Sequence, residues 1–339
     1  MLISVNDDTL TLSAFDYETA RRARVQGTDG EEGRIRVNAS TLKAAIAALP
    51  KGAKARTTVT ADDNALHVGP ATLPAMPAEE YPTLPDMPAH VAIVDGAALA
   101  RIIPGVSVAA GTDGTLPMLL GVRFTFSANG AEIAATDRYR LAVDTLPWTV
   151  VTEDMPGEVI VPAKALTEYA SKSAKVDKVN VYAGVNPADG IPVFGLSDGN
   201  RDLFMHCITG KYLRVAQLLR DDSPVNLTVN GPALTDVVRR LKPLAGRNEA
   251  IRLDYAASEL KLSVFADSGS STSIATEAIP ANADVPEFVI QFNPGYLESM
   301  LTAITGDVTF GMVTSQKSAT MSSANMTRRA ILAPIRFAE

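Results

Sequence analysis

The run Leu227-Thr228-Val229-Asn230-Gly231-Pro232-Ala233-Leu234 carries the pattern on which the reading of the whole chain turns. An alternating strand closes on an asparagine, and a leucine follows four residues later. Asn and Asp side chains accept from the first free N–H groups of a helix, so a closing asparagine marks a switch from strand to helix. Four more copies are present. They read Arg34-Ile35-Arg36-Val37-Asn38 with Leu42, Val91-Ala92-Ile93-Val94-Asp95 with Leu99, Val159-Ile160-Val161-Pro162 with Leu166, and Val289-Ile290-Gln291-Phe292-Asn293 with Leu297. The closing residues are spaced 57, 67, 68 and 63 apart. Only Pro162 departs from the capping types, and proline is itself common at helix starts.

Beyond each leucine the apolar residues fall at helical spacing, as in Leu42/Ala45/Ile46/Leu49, Leu99/Ile102/Ile103/Val106, Leu234/Val237/Val238/Leu241 and Leu297/Met300/Leu301/Ile304. That spacing paints one apolar stripe per helix. The third copy keeps Leu166, Tyr169 and Ala170 and places Ser173 last. Pro104 is expected to shorten or kink the second helix. Alternating segments with turn residues follow, such as Gly121 to Phe126 before Asn129-Gly130, and Leu253 to Tyr255 before Glu259 to Val264. They predict half-buried antiparallel strands joined by hairpins. Residues 1–30 hold strand-like pieces, Thr9 to Leu12 and Ala23 to Val25, resembling the back half of a unit. The chain thus holds about five and a half units, and a sixth strand-and-helix start is expected upstream of Met1. The fold class is α+β. Pairing the units gives three domains, 1–88, 89–221 and 222–339, with boundaries in the proline-rich stretch Pro74 to Pro88 and in Arg220-Asp221-Asp222-Ser223-Pro224.

Composition bounds the function. With 46% hydrophobic and 20% charged residues the 339-residue chain reads as soluble and globular, and two or three domains are its default. No run of eighteen apolar residues occurs, so neither a membrane span nor a signal peptide is expected. Cys207 is the single cysteine, which excludes an internal disulfide and fits a reducing cytoplasm. One cysteine and three histidines (His67, His90, His206) make a poor metal set, and adjacent His206 and Cys207 point to opposite faces of a strand. No metal, cofactor or catalytic site is expected. Thr136-Asp137 and Glu79-Glu80 lack a partner His or Lys at a recognisable spacing. Gly27-Thr28-Asp29-Gly30 and Gly111-Thr112-Asp113-Gly114 lack the Gly-Lys-Ser/Thr of a phosphate loop.

A net charge of −7 argues against nucleic-acid binding unless the positive charge is segregated. The five expected helical windows (40–56, 97–110, 163–178, 232–247 and 294–305) hold 13 basic and 4 acidic residues, leaving the acid excess to the strands. The basic residues expected to face DNA are Lys43, Lys51, Lys54, Arg101, Lys164, Lys172, Lys175, Arg239, Arg240 and Lys242, with Arg56, Lys178 and Arg247 in the same windows. If the helices pack on one side of continuous sheets, that side is basic. It would then gather phosphates without reading bases.

Thr115-Leu116-Pro117-Met118-Leu119-Leu120-Gly121-Val122-Arg123, followed by Ala134-Ala135-Thr136-Asp137-Arg138-Tyr139-Arg140-Leu141-Ala142-Val143, resembles the middle domain of the bacterial beta sliding clamp (DNA polymerase III beta subunit). The Thr-Asp-Arg-aromatic-Arg-Leu form resembles actinobacterial members. Glu80-Tyr81-Pro82-Thr83-Leu84-Pro85, Phe292-Asn293-Pro294-Gly295-Tyr296 and Pro334-Ile335-Arg336-Phe337 extend the likeness over essentially the whole chain. The resemblance implies a non-enzymatic processivity factor for DNA replication. This is a head-to-tail homodimeric ring with sheets outside and helices lining a central hole, sliding on double-stranded DNA after loading by a clamp loader. It also implies a cleft between the second and third domains that takes peptides of the replicative DNA polymerase, the loader and other clamp-binding proteins. The matching positions are Leu119, Thr136, Arg138, Tyr139, Arg140, Leu141, Leu213, Gln217, Leu218, Asn293, Tyr296, Ser318, Ile331, Ala333, Pro334, Ile335 and Arg336. Apolar members would seat a partner's anchors, while Arg140 and Asn293 would bond its backbone.

Leu213 stands where the family usually has proline, and Ala333 where Met is frequent. Pro70-Ala71-Thr72-Leu73 occupies an edge strand that normally carries a large aromatic for the subunit interface, which predicts a weakened dimer. A phage-encoded or accessory clamp, or a chain with an upstream start, would each account for the absent first strand and helix. The rival reading is a degenerate clamp paralogue that binds clamp-seeking proteins without closing on DNA.

Overall fold

The computed structural model describes residues 1–27, 30–50, 57–187, 189–215, 217–219, 223–246, 250–265 and 272–336. Of the positions singled out above, Thr28, Asp29, Lys51, Lys54, Arg56, Arg220, Asp221, Asp222, Arg247 and Phe337 lie outside the described residues.

Each strand-to-helix switch forms a helix: α1 Ala39–Ala47, α2 Gly96–Ser107, α3 Ala163–Ser171, α4 Gly231–Leu241 and α5 Pro294–Thr302. The closing residues do what their chemistry dictates. Asn38 accepts from Ser40 N–H at 3.0 Å, Asp95 from Ala98 at 2.7 Å, Asn230 from Ala233 at 3.0 Å and Asn293 from Tyr296 at 3.0 Å. Pro162 makes no side-chain cap. Each cap contributes about 1 kcal/mol. Leu42, Leu99, Leu166, Leu234 and Leu297 are all buried, and each such leucine adds roughly 1.5–3 kcal/mol of apolar transfer.

Two expectations about the helices need correction. Of the two effects expected of Pro104, shortening does not occur: α2 at 12 residues is the longest of the five among the described residues. Its buried stripe of Leu99, Ile102, Ile103 and Val106 offsets the one backbone bond that proline removes. The windows were also too long. Lys172 and Lys242 are the C-caps of α3 and α4, and Lys175 lies beyond α3.

The chain divides into two compact units, Met1–Val91 with Val179–His206, and Ala92–Lys178 with Cys207–Glu339. In the first, antiparallel strands run in the order Gly33–Arg36, Leu2–Asn6, Thr9–Phe15, Thr19–Gln26, Arg201–His206, Pro192–Ser197 and Lys178–Val185. The pairing of Ala20 with Phe204 joins segments far apart in sequence, and Arg24 reinforces it with an ion pair to Asp202 at 2.6 Å. A three-stranded sheet, Val59–Ala61, Ala65–Val68 and Ala71–Pro74, supplies Leu66, Val68 and Leu73 to a core with Ile3, Ile35, Val37 and Leu42 of α1.

The second unit is built on one twelve-stranded sheet. Between its fourth and fifth strands runs the ladder of Arg140–Pro147 with Arg329–Leu332, in register from Arg140↔Leu332 to Val143↔Arg329. This ladder crosses the boundary expected near residue 222. Helices α2 and α3 pack together against the strands on one side of this seam, and α4 and α5 pack together against those on the other.

One buried guanidinium ties the two helix pairs. Arg328 donates to Ala303 O at the end of α5, and to Arg101 O and Ile102 O of α2 at 3.2 and 3.4 Å. Its ion pair with Asp144 spans 3.2 Å, and both side chains are out of solvent. Asp144 is held in turn by Thr327 Oγ1 at 2.5 Å and Thr145 N–H at 2.9 Å. Gly105 makes the notch: a Cβ there would lie 2.0 Å from Arg328 Nη1. Gly105→Ala is expected to lower the unfolding free energy by about 1–3 kcal/mol. Urea denaturation measures it, and an unchanged midpoint would mean the guanidinium does not occupy the notch.

Candidate peptide-binding cleft

The cleft begins with a turn. Between strands Gly130–Thr136 and Arg140–Pro147, Asp137 Oδ1 accepts from the N–H groups of Tyr139 and Arg140 at 3.0 and 2.9 Å. Its Oδ2 takes Arg140 Nε at 2.9 Å, while Thr136 Oγ1 donates to Arg140 O at 2.7 Å. This network holds Arg138 at φ +80°, a left-handed conformation that costs a non-glycine residue on the order of 1 kcal/mol. The construction recurs around Asp198, with Gly199 at φ +89°, and around Asp16, with Tyr17 at φ +72°. The internal repeat therefore extends to the turns, a signal carried by the aspartates and absent from the helix-based reading.

Above the turn lies an aromatic and cationic stack. The Tyr139 and Tyr296 rings are 5.9 Å apart, Arg140 sits 4.7 Å over Tyr296, and Arg138 is 5.9 Å from the Tyr139 ring. Arg140 Nη1 also donates to Ser299 Oγ at 2.5 Å. The guanidinium expected to bond a partner's backbone is thus already held by Asp137, Ser299 and a ring. Asn293, expected in the same role, has its side-chain oxygen engaged as the cap of α5.

Thr136, Arg138, Tyr139, Arg140, Leu141, Leu213, Leu218, Ser318 and Ile331 line one pocket of about 310 Å³, joined by Thr320, which sequence reasoning missed. Leu213 and Leu218 are 46% and 52% exposed, and Tyr139 is 52% exposed, an unusual concentration of uncovered apolar surface. The remaining expected positions do not line this pocket. Leu119 is buried in the turn Pro117–Leu120, Gln217 and Arg336 are exposed, and Pro334 is half-buried. Tyr296 supports the stack. Ala333 and Ile335 donate backbone N–H groups to Tyr139 O and Gln291 O, each at 2.8 Å.

The basic residues fall into two groups. Lys43, Arg101, Lys164, Lys172 and Lys175 are exposed, and among the described residues none of them forms a salt bridge. Around α4 the cations are paired: Arg239 and Lys242 with Glu298 at 3.3 and 2.7 Å, and Arg240 with Glu277. Lys242 beside it holds the Glu298 carboxyl below the usual range. The expected basic face is therefore weaker at α4 than the sequence count implies. Among the described residues no group of three or more His, Cys, Asp or Glu could hold a metal ion. No helix of the described residues is long and apolar enough to cross a membrane.

Models of the DNA polymerase III beta subunit match the chain on residues 1–85 (N-terminal domain), 93–212 (central domain) and 217–336 (C-terminal domain). The chain is 30% identical to the beta sliding clamp of Micrococcus luteus over 84% of this chain and 90% of that protein. It is also 30% identical to the beta sliding clamp of Streptomyces coelicolor, over 95% of this chain and 85% of that protein. The crystal structure of a sliding clamp from Pseudomonas aeruginosa bound to griselimycin shares the fold, with a TM-score of 0.84 at 23% identity, covering 99% of this chain and 90% of that one.

Two measurements probe this geometry. Arg138→Gly relieves the left-handed strain while removing a lining side chain, so the melting temperature is expected to hold or rise slightly. A clear fall in melting temperature would contradict the strain assignment. Burial pushes the Cys207 thiol up to about 12. The thiolate is the reactive form, so iodoacetamide at pH 8 should label Cys207 only after denaturation. Rapid labelling of the native protein would show the site to be open.

Proposed function

Because the chain belongs to the DNA polymerase III beta subunit family, the beta sliding clamps, we propose that it encircles duplex DNA as a homodimeric ring of three-domain subunits (1–88, 89–221 and 222–339) and holds the replicative polymerase by a peptide seated in the cleft. In this reading it performs no chemistry and works in the cytoplasm. A clamp loader places it on DNA, and other proteins with a similar peptide compete for the same pocket. The observation that carries the reading is the pocket itself. Leu141, Leu213, Leu218 and Ile331 offer apolar anchorage beside Arg138 and Tyr139, the mix of apolar slot and polar rim that peptide recognition uses. Lys43, Lys164, Lys172 and Lys175, exposed and without a salt bridge among the described residues, support contact with phosphates. Such contact supplies affinity without sequence preference and fades as salt rises.

The degenerate-paralogue reading draws on one observation. Strand Ala71–Pro74 is an outer strand of its sheet and buries Leu73 inward, leaving Ala71 and Thr72 where a subunit interface would want bulk. The experiment that decides is retention on DNA after loader treatment. A ring stays on nicked circular DNA through a high-salt wash and runs off the same DNA once linearised. Equal loss from both forms, together with a concentration-independent monomer in light scattering, would replace the ring by the paralogue. A fluorescent hexapeptide carrying leucine and phenylalanine should bind in either case, with Leu218→Ala weakening it by about five- to twentyfold on hot-spot magnitudes.

A further inference from the structure

The wall that carries Leu213 is held from behind by a buried charge on the second strand from one edge of the sheet. Arg123 lies on strand Gly121–Ser127, opposite Ala134 on one side and Ile160 on the other, and is buried. Its guanidinium donates to Leu213 O at 3.4 Å, bonds Glu132, and lies 3.9 Å from Glu158. It also sits 5.8 Å over the ring of Tyr212, the residue before Leu213. Tyr212 is buried as well. Its hydroxyl accepts from Thr136 N–H at 3.1 Å and reaches Gly121 O at 3.4 Å. Thr136 is itself a pocket residue. Tyr212 and Val215 anchor the Leu213 segment in a core with Ala134, Leu141, Val143 and Ile160, whereas Leu213 and Leu218 stay uncovered. The segment is therefore pinned at its buried residues and presents its apolar ones to the pocket.

We infer that Arg123 and Tyr212 are positioning residues for the cleft: they fix where Leu213 stands and so set the width of the slot that selects a partner's apolar anchor. This rests on the reading of the pocket as a peptide site. The stacking and the bond to Leu213 O act together. A guanidinium can serve a carboxylate, a carbonyl and a ring face at once, which a lysine ammonium cannot.

The test is a double-mutant cycle between Arg123 and Leu213, read by binding of griselimycin and of the leucine- and phenylalanine-containing hexapeptide, with melting temperature recorded for every variant. Arg123→Met keeps an aliphatic stem but removes the guanidinium, and with it both the ring contact and the bond to Leu213 O. It is expected to weaken hexapeptide binding by about ten- to hundredfold, the range for losing a hydrogen bond to a charged group. In a Leu213→Ala background the same change should cost less than about twofold, because the residue through which Arg123 acts is gone. Additive losses, or an unchanged affinity in Arg123→Met, would overturn the inference. Arg123→Lys provides the cycle if Arg123→Met does not fold, with the same outcomes. Failure of the unmodified protein to bind either probe would instead remove the peptide-site reading, and this inference with it.

Discussion

A positive charge placed inside a protein costs several kcal/mol unless its surroundings answer it. Arg328 is answered by a carboxylate on the neighbouring strand, by two carbonyls of α2 and by one at the end of α5. That arrangement fixes the two helix pairs of the second unit to one point. It also explains an otherwise awkward sequence, Pro104-Gly105 inside a helix, because the missing Cβ admits the guanidinium. Arg328 immediately precedes strand Arg329–Leu332, and Asp144 sits on Arg140–Pro147. The same two strands thus carry the lock near one end of their ladder and Arg140, Leu141 and Ile331 of the cleft at the other.

Much of the fold was legible because each helix start is a local event. A capping side chain reaches only two or three residues, and a buried leucine one turn later follows from helical geometry, so five starts could be read without knowing what packs on what. The turns were harder. Asp16, Asp137 and Asp198 build the same structure, but the residues after them differ, Tyr17, Arg138 and Gly199, and only the last is a residue that readily takes φ > 0. Arg328 was invisible for another reason. Nothing in Thr327-Arg328-Arg329 distinguishes the buried arginine from its neighbour, because its partners lie on three distant elements.

The cleft shows the same division. Nine of the seventeen positions carried over through family likeness line the pocket, and the other eight do not. The role of each group was not recovered, because Arg140 and Asn293 meet partners the linear sequence does not reveal. The charge pattern needed coordinates too. Counting cations on α4 gave a basic helix, whereas Glu298 on α5 and Glu277 on a strand neutralise much of it. Surface pairs of this kind add little stability, yet they do change the local field. The cations of α1, α2 and α3 have no such counterweight among the described residues.

The seam of the twelve-stranded sheet has one more consequence. Only four residue pairs, Arg140↔Leu332 to Val143↔Arg329, join its four-stranded and eight-stranded halves at that point. Any flexing between those halves strains this short hinge line, and three of the pocket's lining residues, Arg140, Leu141 and Ile331, belong to it. A bend of the sheet at this seam would therefore alter the aperture of the pocket.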